Sequence, residues 1–171
     1  MKKNVFPLLI PFVVLLFFLQ TETILGQETT TYYLIRHAEK DLSNKANNNP
    51  HLTAVGKQRA NAWKTIFQAV AFDKIYSTNY YRTLETATPV AEDKGLPIVL
   101  YDSKDSFSSE FKRATQGKTV LVVGHSNTIP FLANAILGEE RYSMIDDEIH
   151  GNLYLLQLVE NTVSCQLLVL E

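Results

Sequence analysis

Thr119-Val120-Leu121-Val122-Val123-Gly124-His125-Ser126-Asn127 is the stretch from which the fold is read. Its first five residues are apolar or β-branched, with no polar alternation. A strand of that kind is buried on both faces, as strands at the centre of a parallel sheet are. Gly124 breaks the run, and polar residues follow at once. Ile129 to Leu137 then repeats apolar residues at helical spacing and stops at Gly138. The unit is strand, polar link, helix.

The same unit recurs upstream. Tyr32 to Ile35 is a short aromatic and β-branched strand, ending in Arg36-His37. Leu42 to Leu52 is rich in Asn, Ser and Pro and reads as a loop. Thr53 can cap a helix running to about Val70, with Trp63, Ile66, Phe67 and Val70 on one stripe. Lys74 to Ser77 is the second strand and Tyr80 to Lys94 the second helix, closed by Gly95 and Pro97. Ile98 to Tyr101 is the third strand, and Ser106 to Thr115 a short helix ending at Gly117. Leu153 to Val159 and Thr162 to Leu170 form a final pair joined by a turn at Glu160-Asn161. Strands alternating with helices predict an α/β fold, a three-layer α/β/α sandwich on a mostly parallel sheet.

In such sheets the ligand lies beyond the carboxyl ends of the strands. The polar residues found there are Arg36 and His37 after the first strand, and Ser77 and Thr78 after the second, with Arg82 close behind. Asp102 follows the third strand, and Gly124-His125-Ser126 the fourth. Two arginines and two histidines thus converge on one sheet edge. Guanidinium forks suit phosphate oxygens. A neutral imidazole can attack phosphorus through one nitrogen while a hydrogen bond holds the other. Phosphoryl transfer needs mainly positioning and charge stabilisation. Arg36, Arg82 and a protonated His125 would supply that around His37, with Ser126 and the following helix start as further anion donors.

These residues carry a resemblance. Leu34-Ile35-Arg36-His37-Ala38-Glu39 resembles the Arg-His-Gly signature of the histidine phosphatase superfamily, which includes phosphoglycerate mutases. Ser77-Thr78-Asn79-Tyr80-Tyr81-Arg82-Thr83 is similar to its second segment, and Val122-Val123-Gly124-His125-Ser126-Asn127 to its third. Leu52-Thr53-Ala54-Val55-Gly56 resembles the entry to its first helix. The resemblance implies a phosphoglycerate mutase-like fold. It also implies His37 as the phosphorylated residue, with Arg36, Arg82 and His125 completing the phosphate pocket. Ala38 departs from the glycine many members carry. The segment from Asp102 to Lys118 is too short for the lid that larger members insert there, so the chain resembles the compact branch, which includes phosphohistidine phosphatases acting on proteins. The general acid stays open among Asp102, Asp105 and Glu110.

The readings that follow are a phosphatase of monoesters or phosphoamidates, a phospholigand-binding module that does not turn over, and a mutase. The short lid region disfavours the last. The expected partner is a phosphorylated small molecule or a phosphoprotein. A net charge of −2 gives no basic surface for nucleic acid. No metal or other cofactor is expected: none of the four histidines are spaced as a local ligand pair, and two arginines repel a divalent ion. His51 is assigned to an exposed loop and His150 to a structural turn. Tyr80, Tyr81 and Phe107 are packing residues or a substrate mouth. The single cysteine, Cys165, allows no internal disulfide and fits a half-buried strand position.

Residues 1–26 read as a signal peptide. Lys2 and Lys3 precede an apolar run, Val5 to Leu19, and Gly26 offers a small residue at the cut. The run is shorter than the roughly 20 residues of a membrane span, and Pro7 and Pro11 interrupt it. Residues 27–171 then form one exported domain, periplasmic or extracellular, without stable membrane contact once the signal is removed. A retained signal anchor is the alternative.

Overall fold

The computed structural model describes residues 28–160 and 162–170. The expected signal peptide therefore lies outside the described residues, apart from which the chain forms one α/β unit. Its elements are β1 (Thr29–Arg36), α1 (Ala54–Ile66), β2 (Lys74–Ser77), α2 (Tyr81–Lys94), β3 (Ile98–Leu100), α3 (Ser109–Thr115), β4 (Thr119–Gly124), α4 (Thr128–Leu137), β5 (Asn152–Val159) and β6 (Thr162–Val169). They build a six-stranded sheet in the order β3-β2-β4-β1-β5-β6. The first four in that order run parallel. β5 is antiparallel to both β1 and β6.

The pleat sorts the strand side chains onto two helix layers. Ile35, Ile75, Leu121 and Val123 share a core with Trp63 and Phe67 from the α1 side and Val90 from α2. Their alternate neighbours Tyr32, Leu34, Val120 and Val122 pack against Phe111 of α3 and Ile129, Leu132 and Ile136 of α4. The period of two along β1 and β4 is what makes a three-layer sandwich possible. β4 is buried on both faces, as its apolar run requires.

Several boundaries differ from the sequence reading. β1 starts at Thr29, because pairing with β5 runs back to Thr29↔Val159. α1 stops at Ile66 rather than Val70: the Phe67 and Val70 amides close turns on Trp63 and Phe67. The helix expected from Ser106 starts at Ser109. The Ser108 hydroxyl caps it from Phe111 N, while Asp102 caps a separate 3-10 turn at Ser103–Asp105. The β5–β6 connection has Glu160 at φ 53°, and its partner Asn161 lies outside the described residues.

α1 is locked against the segment that follows the Arg36-His37 motif. Thr53 Oγ1 accepts from Gly56 N at 3.0 Å, and Thr53 N donates to Glu39 O at 2.9 Å. A Cβ on Gly56 would sit 2.2 Å from Glu39 O, which is backbone and has little room to yield. Gly56→Ala is therefore expected to destabilise the chain by about 1–3 kcal/mol through overpacking, despite alanine's higher helix propensity. Urea unfolding of the two proteins checks this; an unchanged or raised midpoint would remove the close approach as its cause.

Candidate active site

Register decides which side chains meet. β4 lies between β1 and β2, with Arg36 opposite Gly124 and Ser77 opposite Val123. The next residue on each strand is thus His37, His125 or Thr78. His37 N still bonds Gly124 O at 2.9 Å, so the three chain ends leave the sheet side by side. The His37 and His125 rings meet edge to face at 5.5 Å.

His37 is 2% exposed. Its Nδ1 lies 2.7 Å from the Ala38 carbonyl, an acceptor, so Nδ1 carries the proton. Nε2 is left with its lone pair. Burial, with Arg36, His125 and Arg82 adding positive charge nearby, pushes the His37 pKa down to about 3, although the Ala38 bond works against them. The ring is neutral across the ordinary pH range, as a nitrogen nucleophile must be. Ala38 is itself buried, and its N–H donates to Thr86 Oγ1 at 2.9 Å, which fixes the backbone that orients the ring.

His125 is held through Thr78. The Thr78 hydroxyl donates to Thr83 Oγ1 at 3.0 Å, so toward His125 Nε2, at 2.9 Å, it accepts. Nδ1 of His125 consequently faces Arg82 Nη2, at 3.4 Å. Burial first, then Arg82, Lys40 and Arg36, lowers the His125 pKa to about 4. This corrects the sequence reading of a standing imidazolium: in the free site His125 is neutral, because it is desolvated among cations. A bound dianion would oppose that field.

Arg82 opens α2 with its guanidinium carbon 4.4 Å above the Tyr80 ring. Its Nε and Nη1 are buried with no protein hydrogen-bond partner. Unpaired guanidinium donors in a cleft are the donors an anion would use. A cavity of about 460 Å³ lies there, lined by His37, Lys40, Tyr80, Arg82, Ser103, His125, Ser126, Asn127, Thr128, Met144 and Asp147.

Arg36 is arranged otherwise. It is 1% exposed, and Nη1 donates to the carbonyls of Asp146 (2.7 Å) and Ile149 (2.9 Å). Nη2 donates to Asp147 Oδ1 at 3.0 Å, while Nε has no partner. Arg36 lines an adjoining cavity of about 390 Å³ with Glu39, Lys40, Leu42, Asp147, Glu148 and His150. Its fork is committed to the 146–149 loop, where the sequence reading placed phosphate.

The three acid candidates are not brought to His37. Asp102, Asp105 and Glu110 line a different cavity, beside Tyr76 and Phe111. The Asp102 carboxylate caps Lys104 N at 2.9 Å. The short 102–118 segment winds onto the α3 face of the sheet instead of crossing the strand ends, and only Ser103 reaches the His37 cavity. Sequence reading missed Asp147 and Lys40 at the site, and placed Thr78 at a strand end without giving it a role. Asp146-Asp147-Glu148 stands out as an acidic triplet, but its closeness depends on the loop before β5 folding back over the strand ends. His150 is structural as read: Nδ1 donates to His37 O at 3.0 Å. His51 pairs with Glu85 and stacks on Tyr81 at 4.2 Å, outside the cavity lining. Of the aromatics, Tyr80 lines the mouth, while Phe107 packs on Tyr32.

Comparisons with known proteins bear on the fold. Residues 32–103 match the model of the histidine phosphatase superfamily (branch 1). Over those residues the chain is similar to that superfamily. The match takes in the Arg36-His37 motif and the Arg82 segment. Solved structures carry the same fold over most of both chains. SixA of Agrobacterium tumefaciens, a candidate phosphohistidine phosphatase, superposes with TM-score 0.63 at 19% identity, covering 83% of this chain and 99% of that one. A phosphoserine phosphatase mutant of Entamoeba histolytica, solved with phosphoserine, gives 0.60 at 17%, covering 80% and 95%. The phosphoglycerate mutase of Bacillus anthracis gives 0.62 at 13%, covering 83% and 93%. The fold is phosphoglycerate mutase-like. No curated protein sequence matches the chain.

The two depressed histidines make a stability prediction for this histidine phosphatase-like domain. Below pH 6.5 the unfolded chain protonates both rings, while the folded chain keeps them neutral down to about pH 4 and about pH 3. The unfolded state then binds more protons, so stability falls as pH falls through that window. Each histidine contributes a slope of at most about 1.4 kcal/mol per pH unit. Urea midpoints at pH 7.0, 5.5 and 4.5 are expected to drop, and to drop less in His125→Asn. An identical fall in the variant would remove His125 from the account.

Proposed function

We propose that this domain is a phosphatase that hydrolyses phosphate monoesters or phosphoamidates through a covalent phosphohistidine on His37. The observation that carries the reading is the pairing of a neutral, oriented His37 with the unpartnered Nε and Nη1 of Arg82 beside the same cavity. The phosphoryl group would lie against Arg82 and His125. His37 Nε2 attacks phosphorus, the bond to the leaving oxygen breaks, and water then attacks the phosphohistidine. With the dianion bound, His125 takes up a proton from solvent and becomes an electrostatic partner only then. Arg82 and His125 act on the equatorial oxygens, where charge is largest.

Hydrolysis is favoured over mutase action by the short 102–118 segment, of which only Ser103 lines the His37 cavity. Solved relatives named as phosphatases of phosphohistidine and phosphoserine support the same class. The substrate is a phosphorylated small molecule or a phosphoprotein, and no metal takes part. The pattern of residues 1–26 leads us to place the work outside the cytoplasm; N-terminal sequencing of the mature protein tests that, with a start near Gln27 expected.

The decisive experiment incubates the domain with p-nitrophenyl phosphate in EDTA, then quenches and assays for a phosphoprotein that is acid-labile and alkali-stable. Turnover and that adduct are expected. Phosphate binding with neither would favour the non-catalytic module. Turnover lost to EDTA would remove the metal-independent mechanism.

A further inference from the structure

We propose that Asp147 is the proton-transferring group of this site, giving a proton to the leaving oxygen and recovering one from the attacking water. The assignment rests on the phosphohistidine reading above.

Elimination leads to it first. Among the residues lining the His37 cavity, Asp147 is the only carboxyl. Asp102, Asp105 and Glu110 face another cavity. Lys40 and Tyr80 also line the site, but an ammonium cannot take a proton from water, and Tyr80 is stacked under Arg82. Placement leads to it second. The loop that carries Asp147 is pinned through its backbone: Ile145 N donates to Ser126 O at 2.9 Å, and Arg36 Nη1 holds the carbonyls of Asp146 and Ile149. The Asp147 side chain is nevertheless 85% exposed and is gripped at Oδ1 by Arg36 Nη2, 3.0 Å away. A fixed backbone with an exposed carboxylate held by a single ion pair is what a group that must swing between two positions needs.

Arg36 supplies the second position. Nη1 stays on the Asp146 and Ile149 carbonyls, but Nε has no partner and Nη2 has only Asp147, so a phosphate dianion held by Arg82 and His125 can compete with one carboxylate for that edge of the guanidinium. Phosphate arriving at Arg36 releases Asp147 toward the leaving group. The protons balance. A monoester monoanion, whose second ionisation lies near pH 6, gives its proton to the Asp147 carboxylate and becomes the dianion. His37 Nε2 then bonds phosphorus as the phosphorus–oxygen ester bond breaks, and the leaving oxygen takes the proton from Asp147. In the second step Asp147 takes a proton from water, whose oxygen bonds phosphorus as the phosphorus–Nε2 bond breaks. Phosphate leaves, His37 regains its lone pair, and Asp147 is again protonated for the next dianion.

D147N tests this against two esters, p-nitrophenyl phosphate, whose leaving group needs no proton, and phenyl phosphate, whose leaving group does. General acid loss should cost about 10²-fold on phenyl phosphate. Phosphorylation by p-nitrophenyl phosphate should slow only a few-fold, and phosphoenzyme should accumulate because water is no longer deprotonated. Inorganic phosphate, measured by calorimetry, should bind D147N no more weakly than wild type, since a competitor for Arg36 is gone. Equal losses on both esters, no loss on either, or weakened phosphate binding would each overturn the assignment. A wild-type chain that forms no phosphoenzyme overturns the parent reading and this one together; a failure confined to D147N overturns this one alone.

Discussion

His37→Ala is expected to abolish the phosphoenzyme and to lower kcat for p-nitrophenyl phosphate by at least about 10⁴-fold, the scale seen when a covalent nucleophile is removed. The reason is geometric. Nδ1 is committed to the Ala38 carbonyl at 2.7 Å, so Nε2 is the nitrogen with a lone pair to offer. Among the described lining residues, the other imidazole is His125, whose Nε2 is bonded to Thr78 and whose Nδ1 faces Arg82. His125 is not poised to replace His37. Inorganic phosphate should still bind the variant within a few-fold of wild type, because Arg82 and His125 remain. That combination separates loss of chemistry from loss of the pocket. Phosphoprotein persisting in His37→Ala would move the nucleophile elsewhere, and full turnover without it would replace covalent catalysis by direct attack of water.

The sandwich and the meeting of His37, Arg82 and His125 were legible in the sequence for one physical reason. Each depends on local pattern plus a parallel sheet: a strand, its polar end, and a helix after it. Once β1, β2 and β4 are parallel neighbours, their ends must coincide. What could not be read depends on contacts between distant segments. Arg36 looks like a phosphate ligand from its place beside His37, yet its fork is taken by three groups of the 146–149 loop, more than a hundred residues along. Sequence position alone points to acids near the third strand. The turn at Ser103–Asp105 sends Asp105 and Glu110 away, and the carboxylate that does reach the cavity comes from beyond α4. The charge state of His125 was missed for a related reason: desolvation is a property of the assembled cluster, not of any residue in it.

Arg82→Ala is expected to cost about 10³-fold in kcat/KM, and Arg82→Lys nearly as much. An arginine aimed at a transferring phosphoryl group contributes on that scale, at about 10³ to 10⁵. Three observations set the arginine apart from a surface charge. Nε and Nη1 are buried without a partner, which costs free energy unless a ligand uses them. The guanidinium lies 4.4 Å over the Tyr80 ring, so its plane is fixed before substrate arrives. Its Nη2 also faces His125 Nδ1, so one planar group can clamp the phosphoryl oxygens and set the field on the second histidine. Lysine can restore the charge but not the fork or the stacking. The two substitutions therefore test geometry against charge. If Arg82→Lys kept most of the activity, the clamp would be electrostatic alone, and the unpartnered Nε and Nη1 would have no part in it. The alanine variant carries a further expectation. With that cation gone, the His125 pKa should rise from about 4, because Arg82 is the largest of the charges that hold it down. NMR titration of the His125 ring in both proteins would read that shift directly, independent of any substrate.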